Sequence, residues 1–230
     1  MRINEILTED VPKSSGDIAH RSQRSRENYD GDLYNYSFGS RDISSFLHKK
    51  YRGKNPRNVE FDVPDLVKGI DSVFSGKKYA LKRTLKVYSG VHESPANIWT
   101  KYGADTNKPV RVHLPAFTST TTSWQIAVDF SGRARVNLDK HTPVEIIGGT
   151  PNKNPLLGLQ ILYIEVPKGY NAVSIKDISN QPHEDEILLP RGLDVIINPR
   201  PLIKYDYGLP IFVWMCKVVG NNPIQLDLSE

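Results

Sequence analysis

What the chain lacks narrows it first. A single cysteine, Cys216, stands among 230 residues, so no intramolecular disulfide framework can form. The six histidines (His20, His48, His92, His113, His141 and His183) are scattered without ligand spacing, and with no second thiol a zinc site has no ligand set; no metal is expected. No apolar run approaches the roughly 20 residues of a membrane-spanning helix, and the first residues carry no apolar signal core. The expectation is a soluble, intracellular protein with no membrane partner. Glycine-rich phosphate loops and dinucleotide fingerprints are also missing; Gly148-Gly149 reads as a turn. A net charge of +4 and a pI near 9.0 permit contact with phosphates, yet no stripe of Lys and Arg interleaved with aromatics exists, so nucleic acid is not an expected partner. Cys216 itself lies in the apolar stretch Ile211-Phe212-Val213-Trp214-Met215-Cys216. That stretch reads as a buried strand with an inert thiol, and a catalytic triad would need an exposed one.

What is present describes an ordinary globular chain, 38% hydrophobic and 24% charged, long enough for one large or two small domains. Residues 1–30 contain a short amphipathic piece and then a polar tract rich in Ser and Arg. They read as a mobile arm, leaving 31–230 as a single domain, expected to be a monomer. Ser40 to Lys50 has Ile43, Phe46 and Leu47 at helical spacing. Pro64 opens a clearer helix as a first-turn proline, with Leu66, Val67, Ile70, Val73 and Phe74 on one face and Gly76 as its stop. Beyond Lys78 the period falls to two. Strands are predicted at 85–89, 110–114, 143–147, 159–166, 172–175, 186–189, 193–198 and 211–218, with helices at 94–102 and 123–130. Helices first and a strand-rich remainder give an α+β fold class.

The segment Glu184-Asp185-Glu186-Ile187-Leu188-Leu189-Pro190-Arg191-Gly192 stands out. In an extended strand, residues two apart share a side, so Glu184 and Glu186 project together: either a paired-carboxylate site or a charged entrance to a strand. About 65 residues earlier, Phe117-Thr118-Ser119-Thr120-Thr121 follows a strand and precedes a short helix, and Val87-Tyr88-Ser89-Gly90 lies earlier still. In order and spacing, these three segments resemble the arginine-type ADP-ribosyltransferases, the family of bacterial exotoxin catalytic domains and of phage enzymes that modify host proteins. Its pattern is aromatic-Arg-Gly, then Phe-x-Ser-Thr-Ser, then Glu-x-Glu-Ile-Leu-Leu-Pro-Arg-Gly, and the resemblance covers roughly residues 34 to 218.

The resemblance implies a helical N-terminal part against two packed, mostly antiparallel sheets, with NAD in the cleft between them. It implies transfer of ADP-ribose from NAD to an arginine of a target protein. Breaking the nicotinamide–ribose bond creates an oxocarbenium-like centre, and a carboxylate beside it stabilises the developing charge. By resemblance Glu186 takes that role, held by a hydrogen bond from Ser119, while Thr120 and Thr121 shape the strand end. Glu184 would orient the acceptor guanidinium and help take its proton, since that group is a poor nucleophile until deprotonated. Tyr88, Ser89 and Gly90 belong to the cofactor strand. Phe130 falls where related toxins place an aromatic against nicotinamide, or else is a core residue after a helix. Arg133 and Arg135 could reach the pyrophosphate as bidentate partners, or are simply exposed loop arginines. The loop from Ser174 to His183 would meet the protein substrate.

One departure is serious. Where the family carries an arginine after the strand tyrosine, this chain has Ser89. A charge-assisted contact worth roughly 1.5 to 3 kcal/mol is thereby lost. Either Arg133 or Arg135 compensates, Ser89 is a disabling substitution, or the chain is a degenerate, non-catalytic member of the fold serving as a binding module. Finally, Leu7-Thr8-Glu9 has the Leu-x-Glu form of processing sites in head proteins of large tailed phages. The expected place of action is the cytoplasm of a target cell, reached from a phage head or by secretion as an effector.

Overall fold

The helical part comes first and is longer than its periodicity suggests. In the computed structural model, which describes residues 29–54, 63–91, 107–131, 136–137, 142–143, 159–179, 182–206 and 209–222, helix α1 runs Tyr29–Tyr51 rather than from Ser40. Ser37, Gly39 and Ser40 are weak helix formers, and they hide its first half in the sequence. Burial overrides them: Leu33, Tyr36, Ile43, Phe46 and Leu47 form one apolar face, and His48, Lys49 and Lys50 complement the dipole in the last turn. Helix α2, Val63–Phe74, buries Val67, Ile70, Val73 and Phe74 of the expected face, together with Val63, while Leu66 is only partly buried. The arm at 1–28, the helix expected at 94–102, most of the strand expected at 143–147, and Arg133 and Arg135 lie outside the described residues.

Among the described residues eleven strands follow: β1 Leu85–Val91, β2 Val110–Leu114, β3 Thr118–Thr121, β4 Val136–Asn137, β5 Thr142–Pro143, β6 Leu159–Val166, β7 Val173–Ser174, β8 Glu186–Leu189, β9 Leu193–Ile197, β10 Leu202–Asp206 and β11 Leu209–Asn221, with helix α3, Trp124–Phe130, between β3 and β4. Nine of them make a ladder in the order β2-β9-β11-β6-β1-β3-β8-β7, with β10 on β11, while β4 and β5 pair with each other. Within the large ladder the β6–β11 pair is parallel and the others are antiparallel. The two sheets implied by the resemblance are therefore one ladder by hydrogen bonding. Its joint is narrow, because β1 pairs with β6 along its whole length but meets β3 through Tyr88↔Thr121 alone. The two halves still pack face to face: Ile187 and Leu189 of β8 share a core with Val87, Ile164, Val195 and Trp214.

Both outer faces are covered as well. Leu188, Val173, Ile175 and Phe117 pack under α1 and α2, so all four residues of β8 are buried. A strand covered on two sides reads as a continuous apolar run, as Ile187-Leu188-Leu189 does. On the far side, α3 lays Ala127 and Val128 against Tyr88, Ile161, Ile211 and Val213. Its first turn is capped by Ser123, whose Oγ accepts from the Ile126 amide. Cys216 sits in the central core, and burial pushes its thiol up to about 12. The turn after β8 is fixed by Arg191, whose Nε donates to both Asp71 carboxylate oxygens at 2.8 and 2.9 Å, with Gly192 at φ 76°. That fork staples the strand end to α2. Three strands escape the period-two reading: β3, because its four residues are polar, the two-residue β4, and β10, whose Leu202 and Ile203 are both exposed.

Gly90 sets how closely α3 approaches β1. A Cβ there would lie 2.4 Å from the Ala127 carbonyl oxygen and 2.5 Å from the Ser131 amide nitrogen, backbone atoms that cannot swing aside. Gly90→Ala should therefore lower stability by about 1 to 3 kcal/mol, as overpacking does. An unchanged calorimetric unfolding midpoint would contradict this packing.

Candidate active site

A cavity of about 450 Å³ opens between α1 and the ends of β1, β3 and β8, within the size range of small-molecule sites. Glu186 begins β8 directly opposite Thr121. Ser119, two residues before Thr121, lies on the same face of β3 and can reach it diagonally. Glu186 is 8% exposed, and burial pushes its carboxyl up to about 7, opposed by a hydrogen bond from Ser119 and reinforced by the charge of Glu184. Desolvation wins here because the charged form loses water that a single hydroxyl only partly replaces.

The third member of this chain is Tyr36 of α1. Its hydroxyl lies 3.0 Å from Ser119 Oγ, its ring is buried, and burial, then the charge of Glu186, raises its phenol above the usual value. The phenol therefore stays protonated. Ser119 is thus shared between the Tyr36 hydroxyl and the Glu186 carboxyl, giving a line Tyr36 to Ser119 to Glu186. No motif marks Tyr36, since the first half of α1 does not read as a helix.

Glu184 corrects a geometric expectation. It is not two positions along a strand from Glu186; it ends a 3-10 turn, Pro182–Glu184, and Asp185 between them sits at φ 46°. A left-handed non-glycine residue costs roughly 1 to 2 kcal/mol, and the Asp185 side chain is paired with Lys176. The kink still delivers Glu184 and Glu186 to the same cavity. Burial raises the Glu184 carboxyl, opposed by His183.

The remaining expected residues divide. Ser89 is buried and borders the cavity, and its hydroxyl donates to the Ser119 carbonyl at 2.9 Å, bridging β1 and β3 where the backbone ladder narrows. Thr120 Oγ1 donates to the Ile187 carbonyl at 2.6 Å, and Thr121 Oγ1 accepts from the Ser123 amide at 3.1 Å; these hydroxyls tie β3 to β8 and to α3. Tyr88 packs edge-on against Trp124 at 5.6 Å between ring centroids, bordering the cavity together with Gly90. Phe130 is 44% exposed at the cavity rim, so it is not a core residue. Sequence reasoning missed the cavity face of α1, which carries Ser37, Ser40, Arg41, Ser44 and His48. Among the described residues no group of three His, Cys, Asp or Glu side chains is placed to hold a metal.

The sequence profile of the ADP-ribosyltransferase exoenzyme family matches residues 18–209. The chain belongs to that family. Among solved structures it is similar to Plx2a, an ADP-ribosyltransferase toxin from Paenibacillus larvae (17% identity, 88% of this chain and 89% of that one, TM-score 0.55). It is likewise similar to the Clostridium limosum C3 exoenzyme (16% identity, 91% and 89%, TM-score 0.56) and to an ADP-ribosyltransferase from Clostridium botulinum (14% identity, 86% and 96%, TM-score 0.52). At these identities the likeness establishes the fold, while the profile establishes the family. No match was found among curated proteins. Members of this ADP-ribosyltransferase family use NAD as substrate.

Burial of Glu186 has a consequence for stability. Its carboxyl is raised in the folded chain from 4.5 to about 7, so between those values the folded state binds more protons than the unfolded one and stability falls as pH rises. The stabilisation is complete below about pH 4.5 and is lost on passing pH 7, on the order of 3 kcal/mol in all. Glu186→Gln should therefore unfold at a higher temperature than the parent chain at pH 8 and at nearly the same temperature at pH 5. Equal midpoints at both pH values would rule out a desolvated carboxylate.

Proposed function

We propose that the protein transfers ADP-ribose from NAD to an arginine side chain of a target protein, releasing nicotinamide. The observation that carries this reading is the convergence of Glu186, Ser119 and Glu184 on one cavity, with Glu186 already in contact with an oriented hydroxyl donor. The bond between ribose C1′ and the nicotinamide nitrogen breaks, and nicotinamide leaves with the electron pair. Positive charge develops on the ribose, and ionised Glu186, itself largely shielded from water, stabilises it at short range. The Ser119 hydroxyl, held by Tyr36, fixes the carboxylate, so no reorientation is needed as charge develops. A guanidinium nitrogen of the acceptor then attacks C1′, and its proton passes to Glu184, whose raised affinity for protons suits that task. Phe130 is exposed where a planar ring can cover nicotinamide. Glu186 must be ionised, so turnover should rise on passing about pH 7.

The reading places the reaction in the cell that holds the target protein, as suits a family of exoenzymes. Neither the family match nor the fold supports the alternative of a non-catalytic binding module. The choice of arginine rests on Glu184, whose carboxylate can both pair with a guanidinium and accept its proton.

Glu186→Gln should abolish nicotinamide release and transfer together. Glu184→Gln should abolish transfer to a polyarginine acceptor yet leave measurable NAD hydrolysis. Both are read by following nicotinamide release and incorporation of labelled ADP-ribose into polyarginine and into a polymer without arginine. Transfer by Glu184→Gln equal to that of the parent chain, or equal labelling of both polymers, would overturn the assignment of the acceptor.

A further inference from the structure

A dinucleotide brings a pyrophosphate with two negative charges into a cavity that already contains Glu184 and Glu186, so a cation has to meet it. Position 89 cannot supply one: the residue there is Ser89, buried, with its hydroxyl given to the Ser119 carbonyl. Among the described residues lining the cavity, one carries a permanent positive charge, and it is Arg41. It stands on the opposite wall from β1, on the face of α1 where Ser37, Ser40, Ser44 and His48 also border the cavity. These positions follow i, i+3, i+7 and i+11, one side of a helix.

We propose that Arg41 binds the pyrophosphate of NAD, taking from α1 the role that the family pattern gives to an arginine at the position of Ser89; this rests on the functional reading above. Three observations carry it. Arg41 is exposed to the cavity and, among the described residues, its guanidinium has no hydrogen-bond or ion-pair partner, so it is uncommitted. Tyr36, which contacts Ser119, lies five residues before Arg41 on the same helix, about 7.5 Å along its axis at 1.5 Å per residue. Both side chains border the cavity, and the phosphate attached to the reacting ribose likewise lies one sugar away from the bond that breaks. Lastly, a planar guanidinium presents paired N–H donors that match phosphate oxygens, the same chemistry an arginine on β1 would offer.

The test is calorimetric titration of the full chain, Arg41→Gln, Arg41→Lys and the double variant Arg133→Gln/Arg135→Gln with NAD and with ADP-ribose. Arg41→Gln should weaken both ligands by roughly 10 to 100 fold, and equally, because both carry the pyrophosphate. Arg41→Lys should recover part of the loss, since the charge remains without the fork. The unfolding midpoint should not move, as the side chain is exposed. Affinity unchanged in Arg41→Gln, a loss confined to NAD, or a loss that falls on the Arg133/Arg135 variant instead would each overturn the inference. Failure of the parent chain to bind NAD would overturn the functional reading along with it, whereas NAD binding that ignores Arg41 overturns this inference alone.

Discussion

A carboxylate buried at the head of a strand is the constraint to which the surrounding structure answers. Glu186 is held in a desolvated place that raises its carboxyl to about 7, and such a group persists only where hydrogen bonds offset part of the penalty. Ser119 is available because β3 and β8 pair in a register that sets Thr121 opposite Glu186. Tyr36 completes the line because α1 lies over the face that Leu188 also presents to the helices. Shifting β3 by one residue would turn Ser119 away. The four polar residues of a short strand thus matter through their register, and the threonine hydroxyls that secure it bond to Ile187 and Ser123.

The cavity exists where the ladder is weakest. Between β1 and β3 a single register pair joins two halves whose inner faces share one core. Past that pair the strands diverge, and the gap is bridged by the Ser89 hydroxyl rather than by further backbone bonds. Gly90 lets α3 close one side, bringing Phe130 to the rim, and α1 closes the other. Ser89 therefore serves as a structural link between β1 and β3, and it brings no charge to the cavity it borders.

Strain and stapling cooperate around the glutamates. Asp185 in the left-handed region separates the turn of Glu184 from the strand of Glu186, and Lys176 pairs with Asp185. At the other end of β8 the Arg191–Asp71 fork ties the strand to α2. Held at both ends and buried on both faces, β8 is a rigid mount for one glutamate, while the other sits on a turn. That division suits the roles proposed for them, a fixed counter-charge beside an adjustable acceptor of protons.

The sequence by itself determined the elements whose signals are local: α2, with its first-turn proline and apolar face, and β2, β6 and β8, whose apolar patterns bound them to within a residue or so. It also marked Ser119, Glu184 and Glu186, because their spacing within short motifs does not depend on the fold. Only the tertiary structure decided the rest. The first half of α1 is helical because its face is buried, against the propensity of its glycine and serines, so Tyr36 had no local signal, and Arg41, though inside the predicted helix, belonged to no motif. The glutamate pair is joined by a backbone kink that no alternation rule contains. The joining of two expected sheets through one pair, and the bond from Ser89 to a carbonyl 30 residues away, depend on contacts between distant segments. Such contacts are set by packing and register, which a local pattern does not encode.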